Sequence, residues 1–213
     1  MSYLLRVELP DVPGSLGRLA SAIGSSGANI DAIEIVGRDG AEGTAIDDVF
    51  IAADNEVMPD SIVSACNSLD GVKVLWISRY AAGGNLFLDL EMVESMTQDP
   101  ASAIERLVDG LPMVFRVDWG VHLRRDGEKA AVVHGTPAAP TEIPEKILWP
   151  ANLEKGQRID VPEAWSDLVV AGSPLSSDEL VVVGRRGGPE FLESEIARLA
   201  HLIAMAASLR RNA

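Results

Sequence analysis

The stretch Asp11-Val12-Pro13-Gly14-Ser15-Leu16 constrains the fold of this chain more than any other. It separates Tyr3 to Leu9, which alternates as a strand does, from a run with Leu16, Leu19, Ala20 and Ile23 at helical spacing. Pro13 fixes φ, and Gly14 admits dihedrals that other residues avoid. The segment therefore reads as a tight, amide-rich turn from a strand into a helix that opens at Gly14 or Ser15. Gly24-Ser25-Ser26-Gly27 closes that helix, and Gly27-Ala28-Asn29-Ile30 leads into the next element.

Beyond it the pattern predicts a strand over Asn29 to Arg38, a hairpin loop at Asp39 to Gly43, and a strand over Ala45 to Ala53. A helix over Met58 to Leu69 and a strand over Val72 to Ile77 follow. The order βαββαβ predicts a ferredoxin-like domain, one four-stranded antiparallel sheet with both helices on one face. Apolar residues on both parities of these strands call for cover on the second face, from another copy or from the rest of the chain.

Tyr80-Ala81-Ala82-Gly83-Gly84-Asn85 is small, glycine-rich and aperiodic, which sets domain boundaries of 1–80 and 81–213. The second part is expected to open with a helix over Leu86 to Met96 and another from Asp99-Pro100 to Val108. A long strand over Met113 to Arg124 then turns at Asp126-Gly127 and returns over Lys129 to His134. Residues Gly135 to Ala151 read as irregular, with a helical turn near Glu145 to Leu148. Three short strands (Gln157 to Val161, Asp167 to Ala171, Glu179 to Val183) precede a helix over Phe191 to Arg211. Its small residues Ala204, Ala206 and Ala207 allow close helix packing, in a dimer or on its own sheet. The fold class is α+β throughout.

The turn suggests a chemistry. Amides of Ser15 and Leu16 at a helix N-terminus favour a carboxylate or phosphate. Asp11 offers a carboxylate to an ammonium group, and Asn29 offers an amide able to bridge both ends of a zwitterion. Together these describe an α-amino acid site. A plain turn in which Asp11 caps the helix satisfies the same residues and stays open as a reading.

Residues 3–79 resemble an ACT domain, a small regulatory module of amino-acid metabolism. The resemblance rests on Asp-Val-Pro-Gly-Ser-Leu (11–16), on Leu19, Ala20 and Ile23, and on Gly-Ala-Asn-Ile (27–30), in βαββαβ order. It implies a homodimer whose sheets pair side by side or face to face, with an amino acid effector at the interface. Carried over, the ligand-binding residues are Asp11, Val12, Pro13, Gly14, Ser15 and Leu16 on the loop and Asn29 and Ile30 opposite. Leu9 stands where serine-binding members carry histidine, so serine is not implied. Residues from about 86 to 211 look like a GAF-type domain, by element order and by Gly187-Gly188-Pro189-Glu190 leading into a long helix. That likeness implies a small-molecule pocket or a dimerisation module. Trp119, His122, Trp149 and Trp165 are the candidate lining of a second pocket, with core packing as the alternative for each tryptophan.

Composition narrows the function further. A formal net charge of −14 argues against a nucleic-acid partner. No basic leader precedes the first strand, and no apolar run approaches the ~20 residues that span a bilayer. The single cysteine, Cys66, sits on an apolar helical face and has no internal partner, which fits a cytoplasmic protein. His122, His134 and His201 share no metal-ligand spacing, and Asp47-Asp48 are strand neighbours that point to opposite faces. The sequence therefore predicts no enzyme, no metal and no cofactor. The expected function is a small-molecule sensor that signals through its second domain to a protein partner. The alternative is a ligand-free assembly subunit.

Overall fold

The computed structural model describes residues 1–79, 84–126, 129–141 and 155–213. The chain divides into two compact units, Met1–Ala82 and Gly83–Ala213, each α+β.

In the first unit the order is β1 (Ser2–Pro10), α1 (Ser15–Ser25), β2 (Ala28–Asp39), β3 (Thr44–Ala53), α2 (Pro59–Asn67) and β4 (Lys73–Arg79). The strands form one antiparallel sheet in the order β2-β3-β1-β4. Alternation on β1 sorts its side chains. Tyr3, Leu5, Val7 and Leu9 pack with Val49 and Ile51 of β3 against Leu19 and Ile23 of α1 and Ile62 and Cys66 of α2. Both helices thus cover one face, as the sequence pattern predicts. Leu4, Arg6, Asp48 and Phe50 lie on the opposite parity and are also buried. Register fixes the long axis of the sheet: Ser2 pairs Ala52, which pairs Asn29, while Pro10 pairs Thr44, which pairs Asp39. Cys66 is a free, fully buried thiol, and burial pushes its pKa up to about 11.

The second unit opens with α3 (Gly84–Gln98), a 3-10 turn (Pro100–Ser102) and α4 (Ala103–Phe115). Five strands follow: β5 (Trp119–Asp126), β6 (Lys129–Gly135), β7 (Gln157–Ile159), β8 (Leu168–Pro174) and β9 (Glu179–Arg186), before α5 (Glu193–Arg211). They pair antiparallel in the order β6-β5-β9-β8-β7. Helices α3, α4 and α5 pack on one face over Ala171, Val181 and Val183. The other face gathers Trp119, Val121, Leu123, Ile159, Val170, Leu180 and Val182.

Two expectations change. Met113 to Phe115 belong to α4, not to the following strand, and Pro112 lies inside that helix. The apolar stripe Ile104, Leu107, Val108, Leu111, Val114, Phe115 keeps helical spacing past the proline, and its burial outweighs the lost hydrogen bond. The helix ends at Arg116, which takes the left-handed conformation with φ 51°. On α5, Ala206 and Ala207 are buried in the unit's own core, whereas Ala204 is exposed. The helical turn expected near 145–148 lies outside the described residues, as does Gly127 of the hairpin that joins Asp126 to Lys129.

Close packing makes two glycines of this unit unequal. A Cβ on Gly184 would lie 2.2 Å from Cζ2 of the Trp119 ring. A Cβ on Gly110 would lie 2.0 Å from Met92, but only from its terminal methyl group. An indole is rigid, whereas a methionine end swings aside. Gly184→Ala is expected to cost about 1–3 kcal/mol in urea unfolding. Gly110→Ala, which gains helix propensity, is expected to cost far less. Equal losses would mean that the indole yields as easily as the thioether.

Candidate functional site

The turn after β1 takes one defined shape. Ser15 N–H donates to the Val12 carbonyl at 3.2 Å, and Gly14 has φ 93° and ψ −11°. With Pro13 before it, that is a type II turn, whose third position needs positive φ. Gly14 then serves as the N-cap of α1, with no side-chain cap. Asp11 therefore does not cap the helix. Its side chain faces Arg38 of β2 at 3.6 Å, and both groups are well exposed. The first intrahelical bond runs from Arg18 N–H to the Gly14 carbonyl at 3.1 Å. Ser15's amide is held by the turn, so the helix-end donors available to a ligand are Leu16 and Gly17. Ser15 itself is buried, and its Oγ accepts from Arg18 at 3.3 Å.

This turn walls a cavity of about 350 Å³, and all six loop positions, Asp11 to Leu16, line it. The remaining lining comes from Leu9 and Pro10 of β1, Ile35 and Arg38 of β2, and Ala45 and Asp47 of β3. Val12, Leu16 and Ile35 supply exposed apolar surface. Asp47 supplies the opposite. It is 1% exposed, and its Oδ1 has no hydrogen-bond partner among the described residues. Burial, chiefly, and the Asp11 carboxylate hold its pKa above the ordinary 3.8, against the opposing pull of Arg38. Its neighbour Asp48 points to the other face and pairs with Arg6 at 2.7 Å.

Asn29 and Ile30 are not part of this cavity. Asn29 is exposed at the start of β2, level with Ser2, whereas the loop follows Pro10 at the other end of β1. Eight residues of strand put the two about 26 Å apart within one chain. Ile30 packs against the helix-side core. The loop motif marks neither Arg38 nor Ile35, and the sequence pattern weighs Asp47 only as a partner for Asp48. Asp47 did carry a signal: it shares strand parity with Val49 and Ile51, so alternation alone puts a carboxylate on the helix-covered face.

The second candidate pocket separates into parts. Trp119 and Trp165 meet edge to face, with centroids 6.1 Å apart and planes at 76°, and both line a cavity of about 520 Å³. Asp118, Asp167 and Arg186 stand at the same cavity, and Arg186 pairs with Asp167 at 2.8 Å. Trp149 lies outside the described residues. His122 belongs elsewhere. Strand alternation turns it to the helix-covered face, away from Trp119, Val121 and Leu123. There it is buried, with Nε2 3.7 Å from Glu179 and neither ring nitrogen hydrogen-bonded. Burial holds its pKa below the ordinary 6.5, against the pull of Glu179. Burial pushes Glu179 up, but hydrogen bonds from Arg210 and Arg124 outweigh it and keep that carboxyl below 4.5. Among the described residues, no cluster of His, Cys, Asp or Glu has the makings of a metal site. His134 bonds Asp109 of α4 at 2.7 Å.

Both buried groups give stability a dependence on pH. Asp47 binds its proton more tightly folded than unfolded, so its cost is absent below pH 3.8 and grows as the pH rises. Asp47→Asn should therefore stabilise the protein at pH 7, on the order of 1 kcal/mol, with the gain fading toward pH 4. Urea midpoints at the two pH values measure this, and destabilisation at pH 7 would reveal a partner for the carboxylate. His122 is held neutral, so folding loses stability as the pH falls below 6.5. His122→Leu should flatten the loss between pH 6.5 and 5 in the same assay. An unchanged slope would assign that limb to other groups.

Comparison with known proteins adds the following. The family model of the ACT domain matches residues 3–62. No curated protein matches the chain. Among solved structures, the chain is similar to the GAF domain of a phosphoenolpyruvate-protein phosphotransferase from Acinetobacter. That match has 12% identity and a TM-score of 0.47, over 62% of this chain and 95% of that one. It is similar also to the GAF domain of a putative sensor histidine kinase from Pseudomonas syringae pv. tomato, at 16% identity and a TM-score of 0.46, over 60% of this chain and 87% of that one. A formyltetrahydrofolate deformylase from Pseudomonas putida matches at 8% identity and a TM-score of 0.30, over 46% of this chain and 39% of that one. The chain carries an ACT domain over residues 3–62, the segment that holds the turn, every wall of its cavity and Asn29.

Proposed function

We propose that this chain is a non-catalytic regulatory sensor that binds an amino acid at an interface between two copies of its ACT domain. The observation that carries the reading is the type II turn at the N-terminus of α1, opening on a cavity with a buried carboxylate. Free amides there suit a carboxylate, and Asp11 and Asp47 suit an ammonium group. Ser15 Oγ accepts from the Arg18 guanidinium, a contact that does not activate a hydroxyl as a nucleophile.

A second copy accounts for Asn29. Strand β2 lies at an edge of the sheet and runs for 12 residues. Edges of that length pair readily. Antiparallel pairing of β2 with β2 about its midpoint sets Asn29 of one copy opposite Arg38 of the other, beside the cavity. Effector binding then favours one arrangement of the two copies, and the second unit passes that preference to a protein partner in the cytoplasm. Among the described residues no helix is long and apolar enough to cross a membrane.

Thermal unfolding of the full chain against each of the twenty amino acids at millimolar concentration tests the reading. A ligand bound only by the folded state raises Tm by linkage. One amino acid, or a related few, is expected to do so, with sedimentation reporting a dimer and with Asp11→Ala and Asn29→Ala weakening the response. No rise with any of the twenty would replace the sensor with a ligand-free assembly subunit.

A further inference from the structure

We propose that Asp47 is the ammonium anchor of this cavity, and that the ligand it selects is an α-amino acid with an apolar side chain. The inference rests on the amino-acid-sensor reading and narrows it. Three features share one space of about 350 Å³. The first is an acceptor without a donor: Asp47, 1% exposed, with Oδ1 unpartnered. A buried carboxylate oxygen left unpaired costs stability, a cost that a donor brought by a ligand would offset. The second is a donor without an acceptor at the start of α1, the amide of Leu16, which lines the cavity and precedes the first intrahelical bond. The third is apolar lining that faces solvent: Val12 at 53%, Leu16 at 37% and Ile35 at 49% exposed.

A molecule that answers all three carries a cation, an anion and an aliphatic or aromatic group on one small frame. That is the zwitterion of an apolar amino acid. An amine without a carboxylate leaves the helix end unmet, and a carboxylic acid without an amine leaves Asp47 unmet. A ligand with a charged side chain sets that charge against Val12, Leu16 and Ile35. Asp11 and Arg38 already face each other at 3.6 Å and largely cancel, so the unbalanced charge of the cavity is that of Asp47. Burial, chiefly, raises the pKa of Asp47, with the Asp11 carboxylate adding to it and Arg38 opposing, and a cation brought beside the carboxyl would reverse that shift. Oδ1 is out of reach of solvent in this conformation, so the lining gives way on binding. Val12 and Ile35, half-exposed in the lining, are the side chains that would have to shift.

Isothermal titration of the full chain decides the matter, with leucine, isoleucine, valine, phenylalanine, serine and glutamate as probes. An apolar amino acid is expected to bind, with Asp47→Asn weakening it by about 10- to 100-fold, the loss of one charge-assisted hydrogen bond. The same amino acid with its amine acetylated, and its α-hydroxy acid counterpart, are expected to fail on the unsubstituted protein. These two analogues test the anchor without any variant, should Asp47→Asn not fold. If an apolar amino acid binds the variant and the parent equally, or if the hydroxy acid binds as well as the amino acid, the anchor is overturned and the sensor reading survives. If serine or glutamate binds and the apolar probes do not, the selectivity is overturned. If none of the six probes binds but another amino acid raises Tm in the thermal screen, the selectivity is overturned; if none of the twenty raises Tm either, the sensor reading falls and takes the anchor with it.

Discussion

Strand neighbours point to opposite faces, and the pair Asp47-Asp48 turns that rule into an architecture. Asp48 meets Arg6 through two parallel hydrogen bonds of 2.7 and 2.8 Å, with both side chains buried. Breaking such a pair by removing one member costs about 3–5 kcal/mol, because a charge is left alone in a poor solvent. A slip of one residue between β1 and β3 would do the same and would also invert every side chain of the strand. The ion pair therefore holds the register in which Val7 sits beside Asp47. In that register the second carboxylate falls on the helix-covered face, below the turn that starts α1. The cavity, its unbalanced charge and its position at one end of the sheet all follow from the pairing on the face behind it.

Much of this was legible in the residues. Pro13-Gly14 between an alternating run and a helical one announced the turn, because only a few backbone shapes accept that dipeptide, and the alternation of β1 announced the helix-covered face. What the sequence could not give was distance along the sheet. Asn29 and the loop both look like binding residues, and nothing local says that one strand length lies between them. Pairing register decides that, and register is a property of two strands at once. Alternation alone keeps Asp47 and Asp48 from working together on one face. The further step, asking what each would meet on its own face, needed the packing of α1.

The second unit shows the same limit in another form. Trp119 and His122 are three positions apart on β5, and a list of aromatic residues groups them together. Strand parity separates them. Trp119 joins Trp165 beside a cavity, and His122 joins Glu179, Arg124 and Arg210 beneath the helices. Met113 failed for a related reason: a proline before an apolar run resembles a helix end, yet the run continued the stripe of the helix that preceded it.

The lone cysteine closes the account of the first unit. Cys66 lies inside the core formed by α1, α2 and the sheet, with a thiol pKa of about 11. Nucleophilic attack requires the thiolate, and at neutral pH this thiol has almost none to offer. Nature has thus installed a silent tag in α2, and the chain has no second thiol to confuse it. An alkylating reagent reaches the sulfur when the helix lifts from the sheet, so labelling speed becomes a clock for the breathing of the domain. Whatever stiffens that domain slows the clock, and a single added mass records it.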